Sequence, residues 1–399
     1  MPDRPRSRIE RDELGELALP VDALYGIHTA RSLENLRFSR RALGGCPAYL
    51  HALLRVKRAA ARANAEAGVI ERRIAEAIEC AALTLEAGAH ADQFPVDLLG
   101  GGGSIGVHMN VNEVLAKLAN AKLEEVSASQ STADVCHSAA RLAIRALARP
   151  LDAALASAVT TLGAKSVELA PVRTLARTCL RDALPVSASV LVAGWAGALA
   201  RARSSLEDAV ANLDALALGG TVIGTGDGAP ASYRARVVEV LAELEARPLT
   251  RRGDPCDALQ NGDDLLAVSH ATVSIANALL KIGQDLRLLS SGPEGGFAEL
   301  ELPHVQAGSS FFAGKSNPVV PETAIACALQ VIGLDRSVQA AVERAELHLH
   351  VFDGFAAANV FEALELETNA VTLLDTRCLR GLRANVARCE ALAGTTSAR

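Results

Sequence analysis

The segment Gly308-Ser309-Ser310-Phe311-Phe312-Ala313-Gly314-Lys315-Ser316-Asn317-Pro318 places hydroxyls, an amine and an amide between two glycines. Polar side chains gathered in a Gly-punctuated connection between helices are available to bind something rather than to pack. Pro318 and Pro321 suit the first turn of a following helix. Lys315 and Asn317 therefore stand near a helix N-terminus, where a carboxylate is stabilised. Three further segments concentrate small polar residues between apolar stretches: Ser104 to Asn110, Ser129 to Thr132 and Arg177 to Pro185. Gly100 to Gly103 lacks a following Gly-Lys-Ser/Thr and a preceding strand pattern, so it is not read as a phosphate-binding loop.

These groups need long elements to hold them. Half of the 399 residues are hydrophobic but only 3% are aromatic, so Ala, Leu and Val must build the core. Leu265, Val268, Thr272, Ile275, Leu279, Ile282, Leu286 and Leu289 recur at three- and four-residue steps, which predicts a long helix over 263–291 with a near-heptad seam. Similar patterns run through 138–170, 186–215 and 322–350. Strand signals are short and weak. The expectation is an all-α chain built on a bundle of long helices. Its parts are read as a mainly helical N-terminal domain over 1–130, a central long-helix bundle over 131–388 and a tail over 389–399. Helices with weakly polar outer faces call for burial against partner subunits, hence an oligomer.

A net charge of −6 argues against a dedicated nucleic-acid surface. The charged start carries no apolar signal region, and the apolar runs read as too short and too interrupted for a membrane span. The eight cysteines are scattered without a Cys-x-x-Cys pair, which fits reduced thiols in a cytoplasmic protein. No metal-ligand spacing occurs among Cys and His. His348 and His350, two residues apart, would point to different faces of a helix and are read as structural. No metal and no cofactor are expected.

Taken together the segments resemble the aspartase/class II fumarase superfamily. The stretch from Gly308 to Pro318 is similar to its G-S-S-x-x-P-x-K-x-N-P signature. Tyr25-Gly26-Ile27-His28-Thr29, Gln93-Phe94-Pro95, Met109 to Val114, Ser129-Gln130-Ser131-Thr132, Arg177-Thr178 with Asp182-Ala183 and Pro185, and Gly219-Gly220-Thr221 resemble other family segments. The resemblance covers nearly the whole chain. It implies a homotetramer whose central helices form a shared bundle, each active site collecting residues from three subunits. It also implies anti β-elimination on a succinyl substrate with release of fumarate, or the reverse. By the same resemblance Ser309 matches the base. Lys315 and Asn317 match the donors for the carboxylate beside the abstracted proton. Ser131, Thr132, Thr178 and Ser310 match the remaining carboxylate grip. Glu322 matches an acidic partner of a family histidine, and Gly308 and Gly314 match lid hinges.

The departures concentrate where relatives hold the leaving amine or hydroxyl. Ile105 replaces a Thr and His108 an Asn. Ala133 stands where an Asn follows the Ser-Thr pair, and Cys179 where a His follows Thr178. An ammonium deprived of acceptors costs roughly 1–3 kcal/mol per unsatisfied group. The expectation is a lyase that grips a small dicarboxylate but expels a different group, from an N-substituted aspartate or a related succinate. His108 is read as an acid for that group or, with equal weight, as a hydrogen-bonded core residue. The alternative is a catalytically impaired descendant serving as an oligomeric scaffold or dicarboxylate-binding protein. The resemblance also places Gly381 to Asn385 at the end of the family's central bundle, so the small C-terminal domain is expected to be missing.

Overall fold

A computed structural model describes residues 7–394. Strands β1 (Ser7–Asp12) and β2 (Gly15–Pro20) pair as an antiparallel ribbon. Helices α1 (Ile27–Asn35), α2 (Pro47–Glu66), α3 (Arg72–Glu86), α4 (Ile105–Ala119) and the single turn α5 (Leu123–Val126) follow. The long α6 (Thr132–Leu169) leads to the hairpin β3 (Arg173–Thr178) and β4 (Arg181–Ser187), then to α7 (Ser189–Ala211). After β5 (Ala215–Leu216) come α8 (Ala231–Glu245), β6 (Thr250–Arg251), which pairs parallel with β5, and α9 (Pro255–Gln260). The chain continues through α10 (Asp263–Leu289), β7 (Leu300–Glu301), α11 (Val319–Val342) and α12 (Asp353–Arg377). It closes with β8 (Arg383–Ala384), antiparallel to β7, and α13 (Val386–Gly394).

The all-α reading holds: the described strands form only two-stranded ribbons. The periodic stretches appear as α6, α7, α10 and α11. The last of them ends at Val342, short of the 350 that the sequence pattern predicts. Leu347 adopts a left-handed φ of 49°, and the His350 N–H leaves helical register to donate to the Leu259 carbonyl at 2.7 Å. His348 and His350 therefore lie on a turn; His350 is buried with Nε2 3.0 Å from the Ala341 carbonyl.

By packing, the chain divides into two compact units, each discontinuous in sequence. The first comprises residues up to Ala146, Val210–Leu266 and Ser337–Phe361; the second comprises Leu147–Ala209, Ala267–Arg336 and the residues from Glu362. The expected tail at 389–399 begins inside α13, and 395–399 lie outside the described residues.

In the first unit α2 packs against α3 and α8. Ala59, Ala60 and Ala63 on α2 are fully buried, small side chains that let neighbouring backbones approach. Arg141 of α6 is fully buried and forks onto two carboxylates. Asp264 takes two bonds at 2.7 and 2.9 Å, Asp353 two at 2.7 and 2.8 Å. This charge, compensated twice, ties the starts of α10 and α12 to α6. In the second unit the α10 seam of Val268, Thr272, Ile275, Leu279, Ile282 and Leu286 is buried. A Cβ on Gly283 would lie 2.7 Å from Ile325 Cγ1, so glycine is what lets α10 and α11 approach there. Trp195 of α7 donates to Asp285 of α10 at 2.8 Å.

One expectation needs correcting. α10 and α11 are long and apolar enough, by length and composition, to cross a membrane. The same apolarity serves a bundle core: 56% of the most apolar window of α10 is buried within the chain. The exposed Cys80 and Cys179 and the buried Cys136, Cys378 and Cys389 are thiols.

Candidate active site

The first unit gathers Ile105, His108, Ser131, Thr132 and Ala133. Ser131 precedes α6 and closes a reciprocal cap. Its Oγ accepts the Ala133 N–H at 3.2 Å, and Asp134 Oδ1 accepts the Ser131 N–H at 2.9 Å. Asp134 Oδ2 also accepts the N–H groups of Gly219 and Thr221, at 3.0 and 3.1 Å. Burial pushes the Asp134 carboxyl up to about 6 despite these backbone donors and the nearby Lys57 ammonium. One buried carboxylate thus fixes both the helix start and the 219–221 turn. Ile105 opens α4 after Ser104, whose φ is 72°, and its side chain is exposed.

His108, one turn into α4, is 3% exposed. Its Nε2 lies 2.7 Å from Lys57 Nζ of α2, and its Nδ1 2.9 Å from Thr132 Oγ1. Lys57 also donates to Gln130 Oε1 at 2.7 Å. Desolvation lowers the Lys57 amine to about 7. Burial, with the Lys57 charge behind it, drives His108 well below the usual imidazole range. The imidazole is therefore neutral near pH 7, and of the two tasks read from sequence this arrangement fits the hydrogen-bonded one. Beside Ala133 a cavity of about 20 Å³ is lined by Ser104, Cys136, His137, His350 and Asp353. His137 is buried with neither ring nitrogen paired, and burial lowers it to about 4, helped by Arg141.

In the second unit Thr178 ends β3, and Cys179-Leu180 form the two-residue turn to Arg181. Both turn residues have positive φ, 50° and 57°. This is the mirror-image turn that suits tight hairpins, occupied here by two residues that pay for it sterically. Cys179 is exposed at the turn tip.

The Ser309 segment forms a loop closed at its neck. Gly308 N–H donates to the Lys315 carbonyl at 3.1 Å, and Asn317 Nδ2 donates to the Gly308 carbonyl at 2.6 Å. A Cβ on Gly308 would lie 2.5 Å from both Asn317 N and Lys315 O, and Gly314 has a φ of 78°. Ser309 Oγ accepts N–H groups from Phe311 and Phe312 at 3.1 and 2.9 Å. Two backbone donors on one hydroxyl oxygen favour its anionic form. Lys315 and Ser310 are exposed. Glu322, in the first turn of α11, faces Arg287 at 3.3 Å, a guanidinium in place of the histidine that the resemblance implies.

The expected residues thus fall into local groups: one around the starts of α4 and α6, one on the β3–β4 turn, one on the loop before α11. Sequence reasoning missed Lys57 and Asp134 as parts of the first and gave Gln130 only within the Ser129-Gln130-Ser131-Thr132 segment. Lys57 had a legible signal. Leu50, Leu53, Leu54, Ala60, Ala61 and Asn64 are buried on α2 at helical steps around it, so a lysine stands on the apolar stripe.

The sequence profile of a family described as Lyase matches residues 15–333. An aspartate ammonia-lyase of Pseudomonas aeruginosa is 37% identical over 400 residues, spanning 97% of this chain and 84% of the relative. A class II fumarate hydratase of Xylella fastidiosa is 36% identical over 391 residues, spanning 96% and 82%. The crystal structure of a Brucella melitensis fumarate lyase/delta crystallin bound to cobalt superposes with a TM-score of 0.94 at 36% identity, covering 97% of this chain and 87% of that one. A class II fumarase from Schistosoma mansoni gives 0.94 at 28% identity, with the same coverage.

The family match and these relatives define the chain as a lyase. The chain belongs to the aspartase/class II fumarase superfamily, and it is a carbon–nitrogen or carbon–oxygen lyase of that type.

Proposed function

We propose that this lyase acts on a substituted aspartate or related substituted succinate, giving fumarate or a fumarate-like product. The observation that carries the reading is the Ser309 loop, where two backbone donors converge on one hydroxyl oxygen and Lys315 and Asn317 follow within the same closed turn. In the forward direction Ser309 removes the proton beside one carboxylate. The electron pair left on carbon forms the C=C bond while the bond to nitrogen or oxygen breaks anti to it. The leaving group departs with that bonding pair and takes up a proton. Lys315 and Asn317 stabilise the doubly charged carboxylate formed on the way. Ser131, Thr132, Thr178 and Ser310 hold the diacid, and Glu322 stands at the edge of the site. Ile105, Ala133 and Cys179 leave a less polar corner for the leaving group than aspartase or fumarase signatures provide.

The active form is a homotetramer in which the local groups of different protomers complete each site. It is cytoplasmic and works without metal or cofactor, nucleic acid or membrane. Thiols such as Cys80, Cys136 and Cys179 fit that compartment. A second reading, a scaffold that binds a dicarboxylate without turnover, is favoured by the Glu322–Arg287 pair and by Cys179 in the histidine's place.

Following fumarate absorbance with aspartate, malate and a panel of N-substituted aspartates tests both. Turnover confined to substituted substrates supports the first reading. Fast turnover of plain aspartate or malate contradicts it, and silence across the panel supports the scaffold.

A further inference from the structure

The hydrogen bonds around His108 have a direction that can be read atom by atom. Gln130 Nε2 donates to the carbonyls of Val126 and Ala128, both at 3.0 Å, which turns its Oε1 toward Lys57. Charged Lys57 Nζ can only donate, and it meets Gln130 Oε1 and His108 Nε2. His108 Nε2 is therefore the bare, accepting nitrogen, and Nδ1 carries the proton. That proton points at Thr132 Oγ1. Thr132 accepts it, so its own O–H is left to donate outward from the partly exposed first turn of α6.

We propose that Lys57 is a positioning residue that acts through His108 to make the Thr132 hydroxyl a fixed donor, so that this corner accepts a carboxylate oxygen and rejects an ammonium. The inference rests on the dicarboxylate reading above and adds which chemistry one corner takes. The groups facing Lys57 are His108 from α4 and, from α6, Asp134 and Cys136, both of which favour its charged form. Loss of the Lys57 proton gives Nζ a lone pair that can accept from Nε2, so the bond direction is no longer fixed and the polarity weakens above about pH 7.

Two measurements test this on the full chain. In protein labelled with ¹⁵N-histidine, His108 should show the neutral Nδ1–H tautomer near pH 6.5. An Nε2–H tautomer or an imidazolium overturns the relay without any ligand. Calorimetric titration with succinate, from pH 6 to 9, reads the consequence. Affinity should fall above pH 7 in the wild type, and Lys57→Met should abolish that pH dependence. His108→Leu should weaken succinate about tenfold to a hundredfold, the worth of one hydrogen bond to a charged group. His108→Asn should recover most of this, because an amide both accepts and donates. Unchanged affinity and pH profile in His108→Leu overturn the proposal. If the tautomer is as stated but wild-type protein binds neither succinate nor fumarate, the dicarboxylate reading falls, and with it the carboxylate assignment to Thr132.

Discussion

Asp134 Oδ1 receives the backbone N–H of Ser131 at 2.9 Å, so the residue that opens α6 is held by one three positions further along. The same carboxylate closes the 219–221 turn through its other oxygen. Replacing Asp134 by Ala leaves those backbone donors without acceptors, at a cost of about 3 kcal/mol or more. The pH dependence has a definite sign. A carboxyl raised from 3.8 to about 6 in the folded chain binds its proton more tightly there than when unfolded. Its contribution to stability is full below about pH 4 and declines until about pH 6, by about 3 kcal/mol. Denaturant unfolding should therefore show a larger penalty for Asp134→Ala at pH 4 than at pH 7. A penalty that grows with pH contradicts the assignment.

Glu367 on α12 is fully buried, and its carboxyl meets no side-chain hydrogen-bond partner among the described residues. Burial holds it well above the ordinary carboxylate range, with the Ala276 backbone offsetting only part. Burial thus favours the protonated acid inside the second unit. Its stability contribution is present at low pH and is lost as pH rises from the unfolded carboxyl's range. Glu367→Gln resembles the protonated form and should match the wild type near pH 4. By pH 8 it should melt at a higher temperature. Equal melting shifts at both values would show that Glu367 is ionised in the folded state.

The hairpin turn offers a stability test beside the site. Cys179 and Leu180 both occupy the left-handed region, at roughly 1–2 kcal/mol per residue. Asn and Gly suit these two positions in a mirror-image turn. The double change Cys179→Asn with Leu180→Gly should stabilise the chain by about 1 kcal/mol, after the unfolded-state entropy of Gly is subtracted. Urea unfolding measures it. A loss of stability would mean that contacts of these side chains outweigh the backbone relief.

Much of the architecture was legible because helices announce themselves by period. The α10 seam is buried at the steps that the sequence marks, from Leu265 to Leu286, while Leu289 is only half-buried at the frayed end. The end of α11 was not legible. What stops it is the His350 N–H finding the Leu259 carbonyl, a contact distant in sequence. The same holds for the Tyr25-Gly26-Ile27-His28-Thr29 motif. Its partner is Glu113, whose carboxylate accepts N–H groups from Gly26, His28 and Thr29 at 2.9–3.1 Å and so caps α1 from α4. A Cβ on Gly26 would meet Glu113 Oε1 at 2.7 Å, which explains the glycine. At the candidate site, residue types single out Ser309, Lys315 and Asn317, which share one closed loop. They do not give the direction of the bonds at His108, because that depends on a lysine from α2 and on how Gln130 is turned.

The sharpest test of catalysis lies in the loop. In the proposed mechanism Ser309 accepts the proton and Lys315 supplies the cation, so their removal should separate kinetically. Ser309→Ala deletes the base while leaving the carboxylate donors of Lys315 and Asn317 in place. On whichever substrate turns over, kcat should fall about 10²- to 10⁴-fold, the usual weight of a positioned base. Succinate affinity, measured separately, should stay within a few-fold of wild type. Lys315→Met removes a charge that binds the ground-state carboxylate and binds its doubly charged successor more strongly. It should raise the succinate Kd and lower kcat as well. Gly308 bears on both, because a Cβ there collides with the backbone at Asn317 and Lys315. Gly308→Ala should lower kcat without touching any group that meets substrate, through the loop neck alone. If Ser309→Ala turns over at the wild-type rate while Lys315→Met is dead, the base lies elsewhere and the two amides on Ser309 Oγ serve only to shape the loop.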